Sequence, residues 1–184
     1  MKKKVLAPIA CVATLTLTAG MMTGCGTTKE VKMVNQAAYA TIADFEYGGS
    51  KLGTEETTYY LQLMDDETYT MTVTALTNMS GNVLGSTVYV NYGTYEKGEV
   101  TDGSEEVTLK APTRVTYASQ STMGGYAMDY DTAVDTEYII PGEDDSVVDK
   151  ATFLEGIGCD ADQTVYIVQD TEGKATCQMT LDAE

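Results

Sequence analysis

From Ala37 onwards strand-like runs alternate with turn residues, and in the clearest runs apolar and polar positions follow a period of two. The clearest stretch is Thr57-Thr58-Tyr59-Tyr60-Leu61-Gln62-Leu63-Met64, then Asp65-Asp66-Glu67-Thr68, then Tyr69 to Leu76. In the second run Tyr69, Met71, Val73 and Ala75 share one face, and Thr70, Thr72 and Thr74 share the other. That pattern is a half-buried antiparallel strand, and the acidic connection before it predicts a hairpin turn. A loop is expected around Gly81-Asn82 and Gly85, followed by a strand over Ser86 to Tyr95 with Val88, Val90 and Tyr92 on one face. Asp102-Gly103, Pro112, Gly124-Gly125 and Pro141-Gly142 punctuate the chain beyond that strand. Between them lie four short strand candidates: Val107 to Leu109, Val115 to Tyr117, Tyr126 to Tyr130 and Tyr138 to Ile140. Thr164 to Val168 and Ala175 to Leu181 form a closing hairpin about Glu172-Gly173.

One segment departs from this period. Ser146 with Asp149 three residues later has the form of a capping box, Val147, Ala151 and Leu154 then recur at helical spacing, and Gly156 suits the stop. Asp144 and Asp145 precede it, where the helix dipole favours negative charge. About eight short strands spaced roughly ten residues apart, with one short helix in the C-terminal region, predict an all-β fold, an antiparallel barrel or sandwich.

The N-terminus follows a different rule. Lys2, Lys3 and Lys4 precede an apolar run from Val5 to Ala19, interrupted by Pro8, Thr14, Thr16 and Thr18. Positive charge ahead of an apolar stretch shorter than the ~20 residues a spanning helix needs is the layout of an export signal. Met22-Thr23-Gly24-Cys25 resembles the lipobox of bacterial lipoproteins, with Met22 at the position where Leu is commonest. The resemblance implies cleavage before Cys25, acylation of its sulfur, and an extracytoplasmic protein lipid-anchored to the bacterial cell membrane. It divides the chain into a signal over 1–24, a lipidated residue and polar tether over 25–36, and a single domain over 37–184. Two acyl chains suffice for stable anchoring, each buried CH₂ contributing ~0.8 kcal/mol.

The mature chain retains 160 of the 184 residues, enough to bury a core. Loss of three lysines and no acid takes the net charge from −17 to −20. Such a surface repels phosphate backbones, so nucleic acid is excluded as a partner. The chain has no His, which removes the usual general base and any Ser-His-Asp or Cys-His arrangement. It has no Trp either, leaving 13 tyrosines as the aromatic surface for stacking a ligand. Segments such as Tyr59–Tyr69, Tyr92-Gly93-Thr94-Tyr95 and Val107-Thr108-Leu109 look like those of lipocalin-like small barrels found among bacterial lipoproteins, although the Gly-x-Trp signature of true lipocalins is absent.

Cys11 leaves with the signal and Cys25 is assigned to the lipid, so Cys159 and Cys177 remain as a possible disulfide, which export permits. The closing hairpin sets Cys177 opposite a residue near 168, so pairing requires the 158–163 segment to fold back, and the sequence leaves the bond open. Asp129, Asp131, Asp135 and Glu137 form an oxygen-rich cluster of the kind calcium uses, but without an EF-hand glycine; a solvated strand face accounts for them. The methionines at 64, 71, 79, 123, 128 and 179 are dispersed as core residues are, not grouped as copper ligands. No metal set, cofactor motif or catalytic constellation is assigned, and no phosphate loop or Gly-x-Ser-x-Gly occurs.

Three functions remain. The favoured one is a non-enzymatic binding or interaction module, contacting a glycan, a small apolar ligand or an envelope protein. The second is a carboxylate-based hydrolase of envelope polymers, which requires two acids in one cleft with one held protonated. The third is a calcium-stabilised structural domain.

Overall fold

The computed structural model describes residues 4–5, 30–121, 124–131, 138–140, 146–156 and 159–181. Its strands are β1 (Lys4–Val5), β2 (Met33–Tyr47), β3 (Ser50–Met64), β4 (Thr68–Met79), β5 (Asn82–Thr101), β6 (Ser104–Leu109), β7 (Arg114–Ser121), β8 (Gly124–Asp131), β9 (Tyr138–Ile140), β10 (Ser146–Val148), β11 (Gln163–Gln169) and β12 (Ala175–Leu181). The fold is all-β, as the alternation of the sequence requires. Among the described residues no helix is long and apolar enough to cross a membrane.

Seven strands close on themselves in the order β4-β3-β2-β12-β11-β6-β5, with β5 returning to β4. Every neighbouring pair is antiparallel except the seam, where β12 runs parallel to β2 and meets it at Gln178 and Ala38. β5 is the pivot of the design. Along one edge it pairs with β4 from Asn82 to Thr94. Along the other it pairs with β7 over Gly85–Tyr92 and with β6 over Tyr95–Thr101. β6 and β7 are thus successive parts of one line of chain, broken at 110–113, where Pro112 is buried and cannot donate to a ladder. The Lys110 amide still donates to the Thr94 carbonyl at 2.9 Å, and the Thr113 amide to the Tyr92 carbonyl at 2.8 Å. Below the break β6 turns to β11 and completes the barrel. Above it β7 turns to β8, so the wall made by β2, β3, β4, β5, β7 and β8 continues past the closed section.

Three hairpins use the same turn. Gly48-Gly49, Ser80-Gly81 and Asp102-Gly103 each place two successive residues at positive φ, the two-residue geometry that matches the twist of paired strands. The core lies where the barrel is closed. Leu61, Leu63, Tyr69, Met71, Tyr95, Val107, Leu109, Val165, Ile167 and Met179 fill it with Ala37. A fully buried Leu, Ile or Val contributes about 1.5–3 kcal/mol, and Leu61, Leu63, Leu109, Ile167, Val107 and Val165 are all fully buried here. The two core tyrosines keep their hydroxyls satisfied: Tyr69 donates to the Lys110 carbonyl and Tyr95 to the Met64 carbonyl, each at 2.9 Å.

Two elements differ from the sequence expectation. The polar stretch assigned to the tether already forms strand from Met33, and the region between it and Thr57 is a continuous hairpin with Met33 opposite Met64 and Tyr47 opposite Ser50. The Ser146 capping box does not form: Ser146–Val148 is extended and pairs with β9. A short helical segment, α1 (Lys150–Gly156), begins beyond it, and Asp149 takes the capping role by accepting from the Thr152 amide at 2.9 Å.

Candidate binding site

The register assigns the residues of the inner wall in rows. At the level of the core the row reads Ala37, Leu61, Met71, Asn91 and Val115 across β2, β3, β4, β5 and β7. Two residues further along each strand, on the same face, it reads Tyr39, Tyr59, Val73, Tyr89 and Tyr117. Four tyrosines therefore line the inner wall immediately beyond the packed core. Tyr39 and Tyr59 have ring centroids 6.1 Å apart at an interplanar angle of 37°, and Tyr89 and Tyr117 lie 4.9 Å apart at 60°. Both are tilted arrangements of the kind aromatic quadrupoles favour. The next row is small and hydroxylated: Thr41, Thr57, Ala75, Thr87 and Ser119. Glu55 stands one row beyond Thr57 on β3. None of the positions the register gives to these rows is Lys or Arg.

The electrostatics follow the geometry. Burial raises the Tyr59 hydroxyl above its ordinary pKa, and the neighbouring Tyr39 and Glu55 add to the rise. Burial, the Tyr117 hydroxyl and more distantly Cys159 and Glu55 push Tyr89 up to about 12, and Tyr89 shares a hydrogen bond with Tyr117. Glu55 is thus felt at both tyrosine pairs. The Tyr59 and Tyr89 phenols are neutral at physiological pH.

Beneath the tyrosine row sits a polar residue in an apolar setting. Asn91 is 2% exposed. Its Nδ2 donates to the Cys159 sulfur at 3.1 Å, while Oδ1 has no partner among the described residues. Turning the amide over exchanges the two atoms but still leaves one without a partner. Such an orphan costs about 1–3 kcal/mol in a buried site. The segment that covers Asn91 is pinned from the barrel rim. Asp162 accepts from the Ala111 amide at 3.0 Å and pairs with Lys110 at 3.2 Å, and both contacts hold its carboxyl below the usual range. The Cys159 amide donates to the Leu154 carbonyl at 2.8 Å, and both side chains are buried.

Cys159 and Cys177 are not bonded to each other. Cys159 faces Asn91 inside, with burial pushing its thiol up to about 11, whereas Cys177 is exposed on β12 with the Gln36 amide at 3.8 Å. The bulge in β12 opposite Val168 turns Cys177 outward. Cys25 lies outside the described residues, as do Asp135 and Glu137 of the acidic cluster. Asp129 and Asp131 are in β8, opposite Thr116 and Arg114 of β7. Among the described residues no group of three or more His, Cys, Asp or Glu is placed to hold a metal. Among the described carboxylates Asp149 and Asp162 are shifted, and both are shifted down, the direction opposite to that of a general acid.

The strand enrichment in tyrosine signals this wall in the sequence, and Tyr59, Tyr89 and Tyr117 stand in predicted strands. Tyr39 and Asn91 carry no such signal. No protein-family model, curated protein or solved structure matches the chain.

Proposed function

We propose that this chain is a non-enzymatic binding module, lipid-anchored outside the cell through Cys25, which holds a small ligand against the tyrosine row of its inner wall. The observation that carries the reading is the pairing of Tyr39, Tyr59, Tyr89 and Tyr117 with the orphaned Asn91 amide directly beneath them. A binding site is typically apolar and aromatic, with a few placed polar groups that fix orientation. These rows hold one carboxylate, the exposed Glu55, which supports binding over hydrolysis, because glycoside hydrolysis needs two.

Anchoring supports the same arrangement. β2 starts beside the β3–β4 turn, with the Lys32 amide bonded to Asp65 at 3.0 Å and the Asp65 amide to the Lys32 carbonyl at 2.9 Å. A lipid on Cys25 would therefore hold the protein at its packed end, on a tether from residue 26 to 32 that spans at most about 25 Å. The tyrosine row lies on the opposite side of the core from that attachment.

A thermal-shift panel of fatty acids, envelope glycans, small organic cations and Ca²⁺ tests the reading. A ligand at a hundred times its dissociation constant stabilises the fold by about 2.7 kcal/mol, and Tyr89→Ala removes the shift. A response that survives Tyr89→Ala and Tyr59→Ala together would place binding elsewhere. For the anchor, Cys25→Ser abolishes incorporation of labelled palmitate and releases the protein from the membrane fraction; retention of the variant there would overturn it.

A further inference from the structure

The tyrosine row narrows the ligand to a class. We propose that the inner wall binds an organic cation of the quaternary-ammonium type, seated between the Tyr39–Tyr59 and Tyr89–Tyr117 pairs with Glu55 as its counter-charge. The inference rests on the reading of this wall as a ligand site and adds the charge of the ligand.

Three observations converge on it. The first is spacing. Tyr59 and Tyr89 flank Val73 in one row, on strands either side of β4. Strands stand 4.7–4.9 Å apart, so their Cα atoms are separated by roughly 9–10 Å, room for one compact head group between two aromatic pairs. Val73 gives that head group an apolar floor. The second is charge. Glu55 is the carboxylate of these rows, exposed at their outer edge two rows beyond Tyr59; its charge is felt at both Tyr59 and Tyr89, and no Lys or Arg shares the rows to neutralise it. Ring faces and a carboxylate together select a cation, since the quadrupole of each ring attracts positive charge. The third is the character of the remaining surface. The hydroxyls of Thr41, Thr57 and Thr87 offer hydrogen bonds for a polar tail, such as a hydroxyl or carbonyl attached to the ammonium. A bare metal ion would find one carboxylate and no closed oxygen cage here, which leaves the larger, weakly hydrated cation as the fit.

The test compares choline with 3,3-dimethylbutanol, its neutral isostere of nearly the same shape, by titration calorimetry on the purified protein. Choline is expected to bind at least tenfold more tightly than the isostere. Tyr59→Leu and Tyr89→Leu should each weaken choline tenfold or more, Glu55→Gln should weaken it severalfold, and Tyr59→Phe, which keeps the ring face, should retain it. Equal affinity for choline and the isostere would overturn the cation class while leaving the wall as a site for apolar ligands. Binding of a glycan or fatty acid that depends on Tyr59 and Tyr89, with no binding of choline, would do the same. Absence of any ligand that responds to these tyrosines would overturn both readings. Circular dichroism of each variant separates a lost site from a lost fold.

Discussion

At the scale of single residues, burial sets the chemistry of the groups around the site. Cys159 is 3% exposed and its thiol is raised to about 11, whereas Cys177 is open to solvent. Thiolate is the reactive form, so at pH 8 a thiol reagent is expected to modify Cys177 quickly and Cys159 only after unfolding. Equal labelling rates would mean that the 159–162 segment does not cover Asn91. The same burial fixes a pH dependence. Cys159, Tyr59, Tyr69 and Tyr89 all have raised pKa values in the folded state, with burial as the leading cause. The unfolded chain ionises first, so below about pH 9 their contribution is intact, and it is lost as pH rises through the folded values near 11 and 12. Alkaline denaturation should therefore begin above about pH 9, and a melting temperature independent of pH from roughly 8 to 11.5 would contradict it. Asn91 supplies the sharpest contrast between stability and binding. Asn91→Val, an apolar side chain closer to Asn in volume than Leu and suited to a strand, removes an orphaned buried amide, which should raise stability by about 1–2 kcal/mol, a few degrees in Tm. The same change should weaken ligand binding. A loss of stability would show that the amide is satisfied in solution.

At the scale of elements, the hairpins are readable wherever alternation meets a marked turn. Tyr69 to Leu76 and the closing Thr164–Leu181 pair appear where the pattern puts them, because one face of each is apolar and a register slip would expose it. The β2–β3 hairpin is not readable. Its outer halves mix Glu, Thr, Gly and Lys without a clean alternation, and what makes them strand is pairing, with each other across the Gly48-Gly49 turn and, for β3, with β4. The helix start expected at Ser146 is lost for a related reason: Ile139 and Tyr138 of β9 pair with Val147 and Val148, and strand pairing wins over a local cap. One contact inside an element is also invisible to periodicity. Gly93 is buried directly opposite Tyr69, and a Cβ there would stand 2.7 Å from the ring. The ring cannot swing aside without giving up its bond to the Lys110 carbonyl at the break between β6 and β7. Gly93→Ala should cost about 1–3 kcal/mol, as overpacked cores do, read as a fall in Tm. Tyr69→Phe frees the ring from that bond, so Gly93→Ala should cost less in the Tyr69→Phe background; an equal cost would show that packing, and not the hydroxyl, holds the ring in place.

At the scale of the molecule, the tyrosine site depends on how the barrel closes, and closure is the least legible feature of all. A sequence alternating in this way is equally compatible with a sandwich, because alternation specifies which face is buried and not which strands end up side by side. What decides for a barrel is the length of β5, which serves β4 and β7 along one half and β6 along the other, and the return of β12 to β2. That return is thin. β2 and β3 pair from Met33–Met64 to Tyr47–Ser50, whereas β2 and β12 meet in register only at Gln178 and Ala38. The seam should therefore open before the rest. In native-state hydrogen exchange, amides of Ala175–Leu181 that face β2 are expected to exchange through local opening, at a free energy well below that of amides in β3 and β4. Because Ala37 and Tyr39 stand on β2 beside the seam, a ligand held against Tyr39 ties that strand to the wall across from it. Saturating ligand should then slow exchange along β12 and β2 more than the global stabilisation alone accounts for. Uniform slowing in every strand would mean that the ligand stabilises the fold without touching the seam, and that the site lies on the β5–β7 side of the wall alone.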